Sequence, residues 1–397
     1  MSQAPRIRIA ICILTSFCFA FAPTSLSQDP PETLRQAAQH SGMLISAAVR
    51  PAQLSEPAYA ATLAREFNTL EPEDALKWEV LRPDPQSFDF HQADQVIDFA
   101  LRHNMKVRGH TLVWHRQNPA WLATGNFTPE QLSKILETHI KTVVGHYRGT
   151  IFAWDVANEA FDEGVRTGQL RSTIWHDQPG IAADASGSSQ SDTRTASKPD
   201  RAQLVTRGSP QPYAYLAQCF RWAHDADPQA LLFYNEAEAE EVNRKSDAIY
   251  AMVRDFKREG VPIDGVGLQM HLAVHSEAAL PDIPSISANI ARFTALGVQV
   301  HITEMDVSLP VDANGTARDA DLQQQTTIYR EVAQACLVHP GCTAIQTWGF
   351  TDKYSWIGSH SKHTRGAALP FDRNYQPKPA YDALRDALAT AHPIARP

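Results

Sequence analysis

Carboxylates, amides, histidines and tryptophans gather where short apolar runs of this chain stop. Asp155 and Asn158-Glu159 close one such run, and Glu304 and Asp306 close another. Gln269 and His271 close a third, and His110, Trp114 and His115 a fourth; Trp348, with Trp356 soon after, closes a fifth. Two carboxyl groups brought together across a cleft can hydrolyse a glycosidic bond: one protonates the leaving oxygen while the other attacks or activates water. The aromatic surplus suits a sugar, because Trp and Tyr faces stack on the apolar C–H faces of pyranose rings while amides and carboxylates bind the hydroxyls. A single strand-end glutamate ordinarily makes an ion pair or caps a helix. Glu159 and Glu304 are singled out as a pair, by the company each keeps.

For those groups to meet, the runs must be strands ending on one face. Residues 43–49, 66–70, 105–113, 151–156, 231–234, 266–269, 298–303 and 344–348 are strand candidates. Most are apolar on both faces, as parallel strands buried between layers are. Segments of helical period lie between them. Leu132, Ile135, Leu136, Ile140, Val143 and Val144 share a stripe within 129–147, and Ile249, Met252, Val253 and Phe256 do so within 243–259. This alternation predicts an α/β fold, a (β/α)8 TIM barrel forming one catalytic domain over residues 28–397, with active-site groups at the strand C-termini. An open doubly wound sheet shares the alternation, but no glycine-rich phosphate loop follows the first strand. Residues 181–210, rich in Ala, Ser, Asp, Gly, Thr and Arg without an apolar period, read as a flexible surface insertion between the fourth and fifth strands. An interdomain linker is the other reading, although the helical run after it belongs to the same barrel count.

Composition narrows the partners. The 397 residues are 43% hydrophobic and carry a net charge of -8. No block of Lys and Arg suits a phosphate backbone, so nucleic acid is an unfavoured partner. Arg6, Arg8 and the apolar run 9–22 resemble an export signal, with cleavage expected by residue 27. An uncleaved membrane anchor is the alternative. Export implies a secreted protein, released or periplasmic, with no membrane attachment once the signal is removed. Cys12 and Cys18 fall in that segment, and a Cys336–Cys342 disulfide across the His-Pro-Gly turn fits an oxidising compartment. Cys219 reads as a buried small hydrophobe. No Cys/His spacing resembles a zinc site, and no metal or other cofactor is expected.

The motifs are recognisable. Trp154-Asp155-Val156-Ala157-Asn158-Glu159-Ala160 and His301-Ile302-Thr303-Glu304-Met305-Asp306 resemble the acid/base and nucleophile strands of glycoside hydrolase family 10, the β-1,4-xylanase family. Glu73-Asp74-Ala75-Leu76-Lys77-Trp78, Gly109-His110-Thr111-Leu112-Val113-Trp114-His115, Gly267-Leu268-Gln269-Met270-His271, the run from Thr347 to Trp356, and Pro377-Lys378-Pro379-Ala380-Tyr381 are similar to further motifs of that family, in order. The resemblance implies a retaining endo-1,4-β-xylanase acting as a monomer on xylan and xylo-oligosaccharides. It implies that Glu159 is the acid/base and Glu304 the nucleophile. His271 and Asp306 would keep Glu304 ionised and aimed, and Asn158 would bind the 2-hydroxyl. Glu73, Asp74, Lys77, His110, Trp114, Gln117, Gln269, Trp348 and Trp356 would bind substrate, the first three on the non-reducing side.

Two departures stand out. Asp74 replaces the family's usual Asn, cannot donate a hydrogen bond, and adds charge beside Glu73, which would raise the pKa of one of the two. Tyr234-Asn235-Glu236-Ala237 replaces Asn-Asp-Tyr and removes an aromatic near the cleft. A xylan-binding protein without catalysis, or the same barrel acting on cellulose or aryl β-glycosides, are the alternative functions.

Overall fold

The computed structural model describes Met1 and residues 32–176, 213–274 and 280–391. Apart from Met1, the expected export signal with Cys12 and Cys18, and the expected insertion at 181–210, lie outside the described residues. Every element named below belongs to the second of the chain's two units, Thr33–Pro397.

Eight parallel strands close a barrel: β1 (Leu44–Val49), β2 (Thr69–Pro72), β3 (Lys106–His110), β4 (Ile151–Asn158), β5 (Leu231–Glu236), β6 (Gly265–Leu268), β7 (Gln299–Pro310) and β8 (Cys342–Thr347). Neighbours pair in sequence order, and β8 closes on β1 through Leu44↔Ala344 and Ile45↔Ile345. Helices return the chain between strands and pack an outer layer on the sheet, as parallel pairing requires. The helix Pro129–His146 shows why these segments are helical. Thr128 accepts from the Gln131 amide and Gln131 reciprocates, Pro129 sits where its missing N–H costs nothing, and Leu132, Leu136, Ile140, Val143 and Val144 are buried on one face. Asn243 and Ser246 cap Arg244–Arg258 in the same way, with Ile249, Met252, Val253 and Phe256 inward. Among the described residues no helix is long and apolar enough to cross a membrane.

The strand cores agree with the sequence pattern, but four boundaries are corrected. The second strand begins at Thr69, because 57–66 is helical and ends at Glu66, a buried carboxylate that accepts from the Leu34 amide and the Tyr381 hydroxyl. The third strand stops at His110. Leu112 and Val113 are apolar because they fold back against the end of β4, where the Leu112 amide donates to the Asp155 carbonyl. The fourth strand runs on through Asn158, so Asp155 is interior and not terminal. The seventh extends to Pro310, and its outer half pairs with two short strands, His271–Ala273 and Arg365–Gly366.

The Cys336–Cys342 disulfide forms as expected, joining the helix Asp319–Leu337 to β8, and Cys219 is buried and free. The bridge closes a loop of only 6 residues' separation, so it stabilises the fold by about 2 kcal/mol in the chain-entropy account. Replacing both Cys336 and Cys342 by Ser should lower the thermal midpoint by only a few degrees with cooperative unfolding retained; calorimetry checks this, and a collapse of the transition would contradict it.

Candidate active site

Glu159 follows the last residue of β4 and adopts a left-handed backbone, φ 52°. That conformation is uncommon for a residue with a Cβ and persists only where surroundings impose it. Here the Glu159 amide donates to the Asn235 carbonyl (3.0 Å), the Ala160 amide to the Tyr234 hydroxyl (3.0 Å) and the Phe161 amide to Glu236 (3.2 Å). Glu236 also accepts from Tyr234 and is paired with Lys245 at 3.0 Å. Glu236 is among the residues lining the cleft, yet its side chain is fully buried and anchors the turn that presents Glu159. Burial pushes its carboxyl up to about 7, against the pull of Lys245.

The Glu159 carboxylate accepts from Trp114 Nε1 (2.9 Å) and from Gln269 Nε2 (3.0 Å). Burial alone would raise its pKa, but these donated bonds outweigh it and hold the group below the ordinary range. The charged form of Glu159 is thus favoured in the open cleft. His115 lies 3.9 Å away and is pushed down to about 4, by burial and then by Arg171, so it stands neutral at neutral pH.

Glu304 projects from β7, where Oε1 accepts from Asn235 Nδ2 (2.7 Å) and Oε2 faces His271 Nε2 at 3.0 Å. His271 Nδ1 lies 3.0 Å from Asp306 Oδ2, which also accepts from Trp356 Nε1 (2.8 Å). Burial would lower the pKa of His271, but Asp306 and Glu304 raise it well above the usual imidazole value. The ring is an imidazolium donating from both nitrogens. Pairing of the strand that begins at His271 with β7 sets His271 opposite Asp306. Met270 between Gln269 and His271 takes φ 64° and its amide donates to Glu240. One chain reversal thus serves both carboxyls, Gln269 reaching Glu159 and His271 reaching Glu304. Between the two stands Asn158, whose Oδ1 accepts from Asn235 (3.0 Å) and Gln269 (3.2 Å). Gly267 permits this layer, since a Cβ there would strike the Asn235 amide and the Thr303 methyl.

These groups line one cleft of about 490 Å³, within the range of small-ligand sites, together with Lys77, His110, Trp114, Trp348 and Trp356. Trp114 and Trp348 are half-buried walls rather than core aromatics, and the Lys77 ammonium sits 4.8 and 5.6 Å from their ring centres. Glu73, Asp74 and Gln117 do not line this cleft. They cluster behind Lys77, Asp74 bonding Lys77 (3.1 Å) and Gln117 (3.4 Å), and Gln117 bonding Glu79 (2.8 Å). The charge crowding expected at residues 73–74 is real. Burial first, then Asp74, raises the pKa of Glu73, whereas Lys77 and Arg50 overcome burial and lower that of Asp74.

Asn235 has no place among the sequence-predicted site residues, although a polar residue directly after Leu231–Tyr234 is its signal. The buried partners of Asp155 and His110, namely Arg108 and Glu71, are likewise missing from them. Below the cleft, Arg108 pairs with Asp155 and stands 3.3 Å from Glu71, while His110 bonds Asp155 at 3.0 Å. Glu71, His110 and Asp155 bring ligand-type atoms within 4.8 Å of one another, as a metal site would. The donor set does not suit a cation, because the Arg108 guanidinium already supplies the positive charge. Neither Glu71 oxygen accepts a hydrogen bond among the described residues. Burial pushes its carboxyl up to about 8 despite His110. The folded chain therefore holds a proton that the unfolded chain releases near 4.5, and the associated stability is complete below that value and lost as pH rises through 8. Glu71→Gln, neutral throughout, should gain thermal stability over the parent as pH rises from 5 to 9; a gap that does not change with pH would refute the protonated state.

Comparison with known proteins places this geometry. The chain matches the model of glycosyl hydrolase family 10 over residues 33–185 and 202–387. It is 38% identical over 330 residues to endo-1,4-beta-xylanase B of Thermotoga neapolitana, covering 83% of each chain. It is 35% identical to a beta-1,4-xylanase of Dictyoglomus thermophilum over 81% of this chain and 82% of that one. The solved structure of xylanase 10B from Thermotoga petrophila RKU-1 in complex with xylobiose superposes with a TM-score of 0.78 at 36% identity, covering 91% of this chain and 98% of the other.

Proposed function

The chain belongs to glycosyl hydrolase family 10, and on that premise we propose that it is a retaining endo-1,4-β-xylanase whose nucleophile is Glu304 and whose acid/base is Glu159. The observation that carries this reading is the unequal treatment of the two carboxyls in one cleft. Glu304 is held between the Asn235 amide and the His271 ring, one contact to each oxygen, which fixes the carboxyl for attack on a sugar C1. Glu159 is held by two neutral N–H donors, Trp114 and Gln269, and can exchange a proton.

In the first step Glu304 bonds to C1 as the glycosidic C–O bond breaks, and Glu159 gives its proton to the leaving oxygen. In the second, Glu159 takes a proton from water, whose oxygen displaces Glu304 from C1 on the opposite side, so configuration is retained. Glu159 favours its charged form in the open cleft. A bound sugar that excludes water buries the group further, and burial raises its pKa, so binding readies it as an acid. Asn158, between the two carboxyls, is positioned to meet the hydroxyl next to the reacting carbon. Lys77, His110, Trp114, Gln269, Trp348 and Trp356 form the walls for xylose units, with Glu73, Asp74 and Gln117 supporting the non-reducing side. The same reading makes the protein a secreted monomer, supported by the export-like first residues and the Cys336–Cys342 bridge, since disulfides persist in oxidising compartments.

Glu159→Ala should lower kcat on xylan by roughly 10²–10⁴-fold, and Glu304→Ala by at least as much, with thermal unfolding near that of the parent. Near-parental reducing-sugar release by either variant would overturn the assignment. Release from carboxymethylcellulose equal to that from xylan would move the substrate to glucans.

A further inference from the structure

Arg50 follows the last residue of β1 and belongs to none of the sequence motifs. Its guanidinium reaches two consecutive carboxylates, Nη2 donating to Glu73 at 2.6 Å and Nε lying 2.9 Å from Asp74. Asp74 meets Lys77 with its other oxygen at 3.1 Å, and Lys77 stands over Trp114 and Trp348 at the edge of the cleft. The side chain of Arg50 is 48% exposed, but those of Glu73 and Lys77 are only 7% and 6% exposed. An ion pair on an open surface is worth little. This one differs, because removing Arg50 leaves a buried carboxylate beside a second negative charge with no outer partner.

Asp74 also makes the arrangement particular to this chain. An amide there would need no cation, whereas a carboxylate next to Glu73 does. We propose that Arg50 is a positioning residue for the sugar pocket on the non-reducing side, holding Glu73 and Asp74 together behind Lys77 and, through Asp74, holding the Lys77 ammonium over the two tryptophans. Arg50 acts through Glu73 and Asp74. The forked guanidinium suits the task better than an ammonium, since one plane of donors spans both carboxylates. Burial pushes the Glu73 carboxyl up and Arg50 opposes it, consistent with a clamp on charges that would otherwise repel. The inference rests on the reading of residues 73–77 as part of a xylan pocket.

The test compares Arg50→Ala, Arg50→Lys, Asp74→Asn and the Arg50→Ala/Asp74→Asn double variant in the full chain. Two substrates are used, an aryl β-xylobioside, whose second sugar enters this pocket, and an aryl β-xyloside, which has none. Arg50→Ala should lower the ratio of kcat/KM values, xylobioside over xyloside, about tenfold, through KM on the longer substrate. Arg50→Lys should recover only part of the loss. The double variant should recover more than additivity allows, because Asp74→Asn removes the negative charge that repels the stranded Glu73 carboxylate. An unchanged ratio, or independent effects of Arg50 and Asp74, overturns the role of Arg50. A parent that hydrolyses neither substrate brings down the xylanase reading itself, a failure distinguishable from that of Arg50 because it precedes any substitution.

Discussion

A half-buried imidazolium held between two carboxylates sets the charge of the cleft. His271 lies 3.0 Å from both Glu304 and Asp306, and in a poorly solvated site its positive charge is tolerated only because both neighbours are negative. The same contacts fix the ring, which leaves Glu304 a single orientation. Trp356 completes the chain by donating to Asp306. The other side of the cleft contrasts with this, since the Glu159 carboxylate accepts from two neutral N–H donors beside a neutral His115, with Arg116 adding a weaker pull. The division of labour between two chemically identical side chains follows from that contrast in surroundings, not from the residues themselves.

The barrel makes the contrast achievable. β4, β5, β6 and β7 are neighbours, so Asn158, Asn235, Gln269 and Glu304 arrive at one level and bond sideways to one another. Two of the left-handed backbone positions aim side chains into the cleft, at Glu159 and beside Gln269 and His271 at Met270. Each is held by buried partners: Tyr234, Glu236 and Lys245 beneath the first, Glu240 beneath the second. These buried groups make an uncommon backbone shape the stable one.

Much of this is legible in the amino-acid sequence. Apolar runs on both faces mark the strands, and polar residues ending those runs mark the cleft, because strand ends are where a parallel barrel leaves side chains unpaired. The residues that the sequence pattern misplaces share one cause. Asp155 and Glu236 are acidic residues in apolar company, and an acid that is buried because Arg108 or Lys245 waits beside it looks, in one dimension, like one bound for a cleft. Leu112 and Val113 extend the apparent third strand because an apolar loop folded onto a core has the same composition as a strand inside it. Arg50 is invisible in the sequence for the opposite reason: its partners are two residues 23 and 24 positions along the chain, and only the pairing of β1 with β2 brings them together.

The central claim is that Glu304 alone bonds to the sugar. An activated 2-deoxy-2-fluoro-β-xylobioside slows release of a covalent sugar far more than its formation, because the fluorine destabilises the oxocarbenium-like transition state and a good leaving group preserves the first step. Mass spectrometry of the inactivated, protease-digested protein should find one added fluoroxylobiosyl group, on the peptide carrying Glu304. A label on Glu159, or an active enzyme that never acquires one, would contradict the account.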